Sequence, residues 1–312
     1  MPESVGVSTP DAAEAQAREA LRSGTDTAHL ADAVFRPIPG GLSNYAWRVS
    51  VPTADFFVRL ARGPGDMPGV DHANERRVLE LTTRAGLSPP VVRCDPAVRL
   101  LVTSWVDAPD PGRRLQSAGE LSVVARALAS LHALPAPSDL RSVDFATQAH
   151  ELEASLAPER GDGPLRARAG EVFAKLREQS AIAVLCHNDL NPLNLLWERP
   201  GRLWLVDWEY AGLGDRAIDL ASFASQHGLD ARRRRLLVAA YVAAGGVLDA
   251  HRLDLARWAF DYVQWLWYRL ALVSPATGVD AGPAPGRAAR LATSLRGRAS
   301  RVLRCNNAPF AN

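Results

Sequence analysis

Lysine is nearly absent from this chain of 312 residues. Lys175 is the only lysine, although lysine and arginine together number 36. A phosphate-binding loop of the G-x-x-x-x-G-K-[ST] kind needs a lysine that reaches the phosphates, and no such sequence occurs. The chain is therefore excluded from the proteins that use this loop.

An excess of positive charge is also lacking. The 36 basic residues stand against 34 acidic ones, which gives a net charge of +2. Proteins dedicated to nucleic acids usually carry a marked basic excess, so no nucleic-acid partner is expected. The run from Arg232 to Arg235 is the main basic cluster, and we interpret it as the solvated start of a helix.

Long apolar segments and paired cysteines are missing as well. No run of ~18 apolar residues occurs, so no membrane span is expected. The three cysteines, Cys94, Cys186 and Cys305, lack the spacing of metal or redox pairs, which indicates a reducing compartment. Residues 1–26 carry acidic side chains and no apolar segment, unlike a secretory signal. We expect a cytoplasmic protein, and the sequence leaves its oligomeric state open.

The first third of the chain has the pattern of a small sheet. An alanine-rich segment predicts a helix over 11–22, and short β-favouring runs follow it, separated by glycine and proline turn signals. Apolar residues at helical spacing then end at Gly86, a natural helix stop. The predicted strands are 35–39, 45–51, 56–60, 89–92 and 100–106, and the predicted helix that crosses them is 71–85.

The rest of the chain has mainly helical periodicity. Ser117 and Glu120 form a capping-box pattern at the start of one helix, and further helices are predicted at 151–180, 216–227, 231–244 and 252–273. We predict an α+β fold with two lobes, a small antiparallel sheet and a larger helical part. The predicted divisions are a helical extension (1–24), an N-lobe (25–106) and a C-lobe (107–312), with a ligand cleft between the lobes.

One segment of the C-lobe carries a chemically informative pattern. It begins at His187, contains Asp189 and Asn194, and continues through two apolar runs joined by Pro200-Gly201 to Asp207. A hairpin symmetric about that dipeptide pairs Asn194 with Asp207, with Cβ atoms roughly 4.5–5.5 Å apart. Amide and carboxylate oxygens are ligands that Mg²⁺ prefers. The spacing therefore predicts a metal site, with Asp189 in front of it.

The same segment resembles the catalytic region of kinase-like folds. His187, Asp189 and Asn194 match the pattern H-x-D-x-x-x-x-N, and Asp207-Trp208-Glu209 stands where those folds have D-F-G. The run from Val206 to Gly212, continued by Asp215 and Asp219, is similar to the choline/ethanolamine kinase branch of the aminoglycoside phosphotransferase superfamily. The resemblance covers roughly residues 35–275 and extends to the loop Gly40-Gly41-Leu42-Ser43-Asn44.

The resemblance implies a kinase-like fold, ATP and Mg²⁺ as cofactors, and a role for each matching residue. Asp189 would be the catalytic base, with His187 beside it, and Asn194 and Asp207 would hold the metal. Asp219 would hold the catalytic loop. Ser43 and Asn44 would cover the phosphates of the nucleotide, and Trp105 and Val106 would present backbone groups to its adenine.

The sequence departs from the usual pattern at one position. Kinase-like N-lobes pair a strand lysine with a helix glutamate, whereas here Arg59 stands at the strand position and Glu75 is its expected partner. Arginine keeps the charge and grips oxygens with a planar fork, so activity is compatible with the change. The choline-kinase-like branch shares this replacement, which supports the resemblance.

The acceptor of the phosphoryl group is less sharply defined. At ~100° per residue, Trp258, Asp261, Trp265 and Tyr268 share an arc of ~80° on one predicted helix. Aromatic faces beside a carboxylate suit an ammonium group, although aromatic residues at helical spacing also form ordinary cores. Glu209 and Tyr210 are further candidates for contact with a cationic substrate.

Three functions remain open at this point. The first is phosphorylation of a small cationic alcohol such as choline, ethanolamine or thiamine. The second is a kinase of the same superfamily with another acceptor, such as an aminoglycoside, a macrolide or an amino-acid hydroxyl. The third is an inactive nucleotide-binding relative, which would be expected to have lost Asp189 or Asp207. In the first two cases the partner is a small-molecule alcohol.

Overall fold

The N-terminal lobe is a five-stranded antiparallel sheet with two helices packed on it. The computed structural model describes residues 9–39, 44–62, 69–113, 115, 117–157, 162–179, 182–273 and 284–303. The strand order is β1-β2-β3-β5-β4. The sequence predicts a hairpin turn over residues 52–55, and the turn is present but shorter, because Val51 pairs with Ala54 and only Pro52 and Thr53 lie between the strands. The strands are β1 (Val34–Pro37), β2 (Asn44–Val51), β3 (Ala54–Ala61), β4 (Val91–Asp95) and β5 (Leu100–Ser104).

Helix α1 (Pro10–Arg22) belongs to the hydrophobic core of this sheet. Thr9 begins the helix by accepting a hydrogen bond from the Ala12 N–H. Ala13, Ala17 and Leu21 share one face and are buried against strand residues that include Trp47 and Val58. The predicted helix is therefore present, and it packs on the sheet.

Helix α2 (His72–Arg84) presents polar side chains to the interior. It begins at Asp71, whose side chain accepts from the Asn74 N–H at 2.9 Å, and the chain reverses after it at Gly86, where φ is +68°. Its buried face includes Asn74 and Glu75 beside Val78 and Leu79. The helix thus positions an amide and a carboxylate between the two lobes.

The C-terminal lobe is mainly helical and contains two small sheets. Strand β6 pairs with β9, and β7 pairs with β8 around Pro200-Gly201 as predicted. The capping box of Ser117 and Glu120 is also present. The elements are α3 (Ala118–His132), α4 (Phe145–Ala154), α5 (Gly163–Glu178), β6 (Val184–Cys186), β7 (Leu195–Arg199), β8 (Arg202–Leu205), β9 (Gly212–Gly214), α6 (Arg216–Gln226), α7 (Ala231–Ala243), α8 (Ala250–Val273) and α9 (Ala284–Ala299).

Two helical features differ from the prediction. The single helix expected over 151–180 is wrong, because α4 ends at Ala154 and α5 begins at Gly163 with a proline in its first turn, where the missing N–H costs nothing. Helix α9 was not predicted. Gly286 and Gly297 lie inside it and lower its intrinsic helix propensity. Its packing against α8 therefore stabilises the helix.

The architecture agrees with the predicted fold class of a small antiparallel sheet joined to a larger helical lobe. The described residues include no helix that is both long and apolar enough to cross a membrane.

Candidate functional site

A cavity of about 1200 Å³ lies between the two lobes and continues along the C-terminal helices. Its wall includes residues of the sheet, of the 188–196 segment, of the segment after β8, and of α8 and α9. Among the predicted site residues, the wall contains Asn44, Arg59, Trp105, Val106, Asp189, Asn194, Asp207, Glu209, Tyr210, Asp261 and Tyr268. Most of the predicted site therefore comes together around one cavity.

The loop that begins at His187 is held by a buried carboxylate on α6. Asp219 is fully buried, and its two oxygens accept the N–H groups of His187 at 2.9 Å and Asn188 at 2.7 Å. His132 lies 2.9 Å from the same carboxylate. Asn188 has a φ of +68°, a left-handed conformation that asparagine tolerates better than most residues. The loop has the predicted anchor, which fixes where Asp189 points.

Asp189 faces the cavity and is oriented by amide groups. Asn191 and Asn194 donate to its Oδ2 at 3.0 and 3.1 Å, and Gln226 approaches its Oδ1 at 3.5 Å. Burial raises the pKa of Asp189, and Glu209 adds to this, although His187 and the amide hydrogen bonds oppose the shift. The carboxylate is thus fixed in direction and is more basic than an exposed aspartate.

His187 does not touch the cavity. Its ring is fully buried against Trp208, its Nε2 lies 2.9 Å from the Val206 carbonyl oxygen, and its Nδ1 accepts from the Asp189 N–H at 3.4 Å. Both ring nitrogens are therefore occupied within the protein. The prediction that His187 takes part in catalysis directly is wrong. Its contacts are those of a residue that orients Asp189.

The predicted pairing of Asn194 with Asp207 is also wrong, by one residue. Arg199 pairs with Arg202 as the symmetric hairpin requires, but a bulge shifts the register, so that Leu195 pairs with Leu205. Asn194 consequently binds Val206, whose N–H donates to its carbonyl oxygen at 3.1 Å. Asp207 follows with a φ of +66° and still lines the same cavity as Asn194.

Arg59 is the cation at the centre of the site. Its side chain is 4% exposed and binds Glu75 at 2.5 Å and Asp207 at 2.8 Å, with Glu209 at 3.8 Å. Burial tends to lower the pKa of Arg59, but the three carboxylates outweigh it and raise the pKa. Burial likewise raises the pKa of Glu75, and Arg59 and His72 reverse this and hold it below the ordinary value. The predicted Arg59–Glu75 pair is present, and it extends to Asp207.

Several carboxylates are crowded around this one arginine. Burial together with Glu75 and Asp189 raises the pKa of Asp207 to about 6, against the attraction of Arg59. Burial and Asp207 raise the pKa of Glu209 to about 7, although Asn44 donates to it at 2.9 Å. Asp207 keeps 36% of its side chain exposed.

These groups meet the requirements of a hard divalent cation. The Nδ2 of Asn194 donates to Asp189, which leaves the Oδ1 of Asn194 as the end that can bind a cation. Carboxylates crowded by like charge gain from a cation, and oxygen donors suit Mg²⁺. The residues present therefore fit the metal predicted for Asn194 and Asp207.

The part of the cavity predicted to bind adenine lies where strand β5 ends. Trp105 and Val106 line the cavity just after β5. The Trp105 N–H donates to the Asp55 carbonyl oxygen at 3.0 Å, and the Val106 carbonyl accepts from Ala108 at 3.0 Å. The Trp105 N–H is thus not available to adenine. Ser43, predicted to cover the phosphates, lies outside the described residues.

The predicted aromatic cage is divided between the core and the cavity. Trp258 and Trp265 are 0% and 4% exposed and are absent from the cavity wall, so their prediction as substrate contacts is wrong. Helix α8 packs on α4, α5 and α6 as well as α9, and this buries the face that holds both tryptophans. Asp261 and Tyr268 do line the cavity, but Asp261 is ion-paired with Arg298, and the Tyr268 hydroxyl accepts from Arg287 at 2.8 Å.

Some residues of the site were missed. Asn74 donates to the Ala211 carbonyl oxygen at 2.8 Å and accepts from the Arg141 N–H at 2.9 Å, which ties α2 to the segment after Asp207. No sequence motif marks it. A helical period of three and four residues does mark most of the cavity face of α8, which consists of Arg257, Phe260, Asp261, Val263, Gln264, Trp267 and Tyr268.

A solved structure confirms the kinase-like fold. A choline/ethanolamine kinase family protein from Mesorhizobium loti superposes with a TM-score of 0.74 at 24% identity, over 93% of this chain and 99% of that chain.

Curated relatives match shorter segments. The LicA protein of Haemophilus influenzae is 36% identical over 108 residues, which cover 32% of this chain and 40% of LicA. Viomycin phosphotransferase of Streptomyces vinaceus is 30% identical over 131 residues, or 40% of this chain and 42% of that protein. The chain therefore matches less than half the length of either relative.

A protein-family model matches residues in both lobes. It is that of the phosphotransferase enzyme family and matches residues 34–260, which include Arg59, Asp189, Asn194 and Asp207. Because the match covers well over half of its residues, the chain belongs to the phosphotransferase enzyme family.

Proposed function

We propose that this protein transfers the γ-phosphoryl group of ATP to the hydroxyl of a small alcohol. The observation that carries the proposal is the orientation of Asp189. Its loop is fixed by Asp219, its carboxylate is directed by two asparagines, and it lies in the same cavity as Arg59 and Asp207. Catalysis of phosphoryl transfer depends mainly on positioning and charge, and this arrangement provides both.

In the proposed reaction, Asp189 accepts the proton of the acceptor hydroxyl. The hydroxyl oxygen forms a bond to the γ-phosphorus as the bond from that phosphorus to the bridging oxygen breaks, and ADP leaves with the electron pair. The raised pKa of Asp189 favours proton acceptance. Asn191 and Asn194 keep the carboxylate directed at the hydroxyl.

Asn194 and Asp207 would hold Mg²⁺, which when bound neutralises charge on the phosphates. Arg59 holds the Asp207 carboxylate at 2.8 Å, and Glu75 in turn fixes Arg59. Trp105 and Val106, which line the cavity just after β5, would bind the adenine. A cavity of about 1200 Å³ exceeds the 300–1,000 Å³ typical of a single ligand pocket, which suits two substrates.

For the acceptor, we propose first a small cationic alcohol of the choline, ethanolamine or thiamine kind. The support comes from the aromatic rings of Tyr210, Phe260, Trp267 and Tyr268 in the cavity wall, and from Glu209 close to the metal site. A cation over an aromatic face gains about 0.5–2 kcal/mol. The description of one structural neighbour as a choline/ethanolamine kinase family protein agrees with this choice.

A second candidate is another acceptor of the superfamily. Arg257 of α8 and Arg287 and Arg290 of α9 line the cavity and favour this candidate, because their positive charge disfavours a simple cation close to them. The match to viomycin phosphotransferase belongs to this alternative.

The test is acceptor-dependent formation of ADP by the purified protein with ATP and Mg²⁺. A panel of amino alcohols, hydroxy acids and sugar alcohols would be compared, with the Asp189→Asn variant as the control. We expect at least one acceptor to stimulate ADP formation in the wild type and none to do so in the variant. Equal rates in the two proteins would refute a catalytic role for Asp189.

A further inference from the structure

A row of buried hydrogen bonds runs from helix α7 to the loop that carries Asp189. The hydroxyl of Tyr241 on α7 lies 2.7 Å from the Nδ1 of His132, the last residue of α3. The Nε2 of His132 lies 2.9 Å from the Oδ2 of Asp219 on α6. Three helices thus meet behind the loop, and none of these three side chains lines the cavity.

The Asp219 carboxylate is shared between this row and the loop. Its Oδ2 faces both the His187 N–H and the Nε2 of His132, and its Oδ1 accepts from the Asn188 N–H. A carboxylate held only by the loop is free to turn, and turning weakens its bonds to the two backbone N–H groups. The contact with His132 restricts this rotation and so helps to fix the backbone just before Asp189.

The two partners of His132 require the same arrangement of its ring. An ionised carboxylate has no hydrogen to donate, so the Nε2 of His132 carries the hydrogen that faces Asp219. In the neutral ring Nδ1 is then an acceptor, and the Tyr241 hydroxyl is its donor. A flipped ring would turn carbon atoms towards both partners and leave buried polar groups without hydrogen bonds. The Tyr241 hydroxyl therefore fixes the ring that holds Asp219.

Tyr241 is itself held in place on α7. Its side chain is fully buried, and its ring packs edge-on against the His132 ring with 5.6 Å between the centroids. The backbone of Gly246 lies so close that a Cβ atom at this position would overlap the tyrosine ring. Burial raises the pKa of Tyr241 to about 12, although the positive charge of Arg216 opposes the shift. The hydroxyl therefore keeps the proton that it donates.

Core packing alone does not account for a tyrosine at this position. A phenylalanine would fill the same space without the cost of burying a hydroxyl. Tyr262 on α8 provides the contrast, because its ring is also fully buried but its hydroxyl bonds the half-buried carboxylate of Glu153. The hydroxyl of Tyr241 instead points inward, at the histidine that contacts the anchor of the loop.

We propose that Tyr241 is a positioning residue for phosphoryl transfer. Its hydroxyl fixes the ring of His132, the ring fixes the Asp219 carboxylate, and the carboxylate fixes the loop on which Asp189 accepts the proton of the acceptor. The proposal rests on the proposed function, since it gives Tyr241 a part in the same reaction. A displacement of about 1 Å at a reacting group can lower a rate by about a hundredfold, so loosening this row slows the reaction without changing the cavity wall.

The variant Tyr241→Phe removes the hydroxyl and keeps the ring. We expect kcat to fall by about tenfold while KM for ATP stays within about twofold of wild type, because the loop orients Asp189 rather than the nucleotide. The matched control Tyr262→Phe removes another buried hydroxyl. It shows what such a loss does to Tm, and it should leave kcat unchanged.

Hydrogen exchange of backbone amides tests the loop without relying on activity. The N–H groups of His187 and Asn188 should exchange about fivefold faster in Tyr241→Phe than in the wild type, because their acceptor is held less firmly. Their exchange should stay at the wild-type rate in Tyr262→Phe. Amides in the middle of α8 should exchange equally in Tyr241→Phe and the wild type, which separates local loosening from general destabilisation.

The route through His132 is tested in a second background. His132→Gln keeps an amide N–H for Asp219 but has no ring for Tyr241 to fix. Adding Tyr241→Phe to this variant should lower kcat by less than about twofold, because interacting residues are not additive. An equal, tenfold loss in both backgrounds would mean that Tyr241 acts by another route, and the proposal would be wrong.

Failure of this proposal is distinguishable from failure of the proposed function. Wild-type kcat in Tyr241→Phe refutes the positioning role, whether or not exchange at His187 and Asn188 is faster. Wild-type exchange at both amides refutes it as well, even where ADP formation is observed. Faster exchange in a protein that forms no ADP with any acceptor would confirm the effect of Tyr241 on the loop and would show that the kinase assignment is wrong.

Discussion

At the residue scale, the position of Asp189 follows from hydrogen bonds that fix its backbone and its carboxylate separately. Asp219 fixes the backbone on its N-terminal side, and the amides of Asn191 and Asn194 fix the carboxylate. The pattern H-x-D-x-x-x-x-N predicted this residue, because its spacing is the one that brings the asparagine side chain to the aspartate carboxylate within the loop. The burial of His187 was not predictable in the same way, because it depends on Trp208 and on the backbone of Val206.

Replacement of Asp189 should separate catalysis from binding. Asp189→Ala is expected to lower kcat by at least a hundredfold, because proton acceptance and positioning act mainly in the transition state. The affinity for ATP should remain within a few-fold of wild type, as measured by titration calorimetry. A variant that keeps more than a tenth of the wild-type kcat would contradict the role of Asp189.

Replacement of Asp207 should act on the metal. Asp207→Asn removes one negative charge from a proposed ligand of Mg²⁺, so the Mg²⁺ concentration needed for half-maximal nucleotide binding should rise several-fold. Glu198→Gln, which changes an exposed acid on the neighbouring strand β7, is the matched control and should leave the requirement unchanged. An unaltered Mg²⁺ requirement in Asp207→Asn would remove Asp207 from the metal site.

At the element scale, α2 connects the sheet to the segment that carries Asp207. Glu75 reaches Arg59 on β3, and the preceding residue, Asn74, binds the Ala211 carbonyl and the Arg141 N–H. Two adjacent side chains of one helix thus hold both lobes. The helix was predicted from its periodicity, but the contacts of Asn74 link segments more than 60 residues apart and leave no local signal.

Removal of the carboxylate on α2 should destabilise the fold. Glu75→Gln leaves Arg59 buried without the carboxylate that lies nearest to it. Removal of one charge of a buried ion pair lowers the free energy of unfolding by about 3–5 kcal/mol. Asp207 remains bound to Arg59, so the lower end of that range is expected in urea unfolding. Glu80→Gln on the same helix breaks an exposed pair with Arg76 and should cost no more than about 1 kcal/mol. Equal losses would mean that burial of the pair is unimportant.

The register of paired strands and the orientation of helix faces were not predictable from the sequence. The β7–β8 hairpin was predicted from its turn, yet one bulged residue moved every pairing beyond Arg199 and Arg202. Helix α8 was also predicted, and its sequence is apolar or aromatic on more than one face. Which face lines the cavity depends on α4, α5, α6 and α9, and the last of these was not recognised in the sequence.

At the scale of the whole molecule, the buried hydrophobic residues of the described segments form two clusters. One joins the sheet to α1, and the other fills the helical lobe. The two-lobe architecture was predictable because strand-like and helical periods occupy different parts of the chain. The sequence predicts residues 1–24 as an extension outside the N-lobe, whereas α1 shares the hydrophobic cluster of the sheet, and this favours an N-lobe that includes α1.

Truncation of one side chain on α1 tests that assignment. Leu21 is fully buried, so Leu21→Ala should lower the free energy of unfolding by about 2–5 kcal/mol. Ile182→Ala, at a side chain that is 81% exposed, is the control and should change it by less than about 0.5 kcal/mol. A loss below 1 kcal/mol for Leu21→Ala would favour the original boundary at residue 24.

The arginine at the centre of the site also determines how the protein responds to covalent reagents. Compounds that acylate amines can label a kinase through the lysine beside its phosphates. Here that position is Arg59, whose guanidinium stays protonated and does not react as a nucleophile. Lys175 carries the only side-chain amine of the chain, lies on α5 and does not line the cavity. If the protein binds ATP as proposed, amine-directed profiling of ATP sites would overlook it, and coupling through Lys175 would modify a surface away from the cavity.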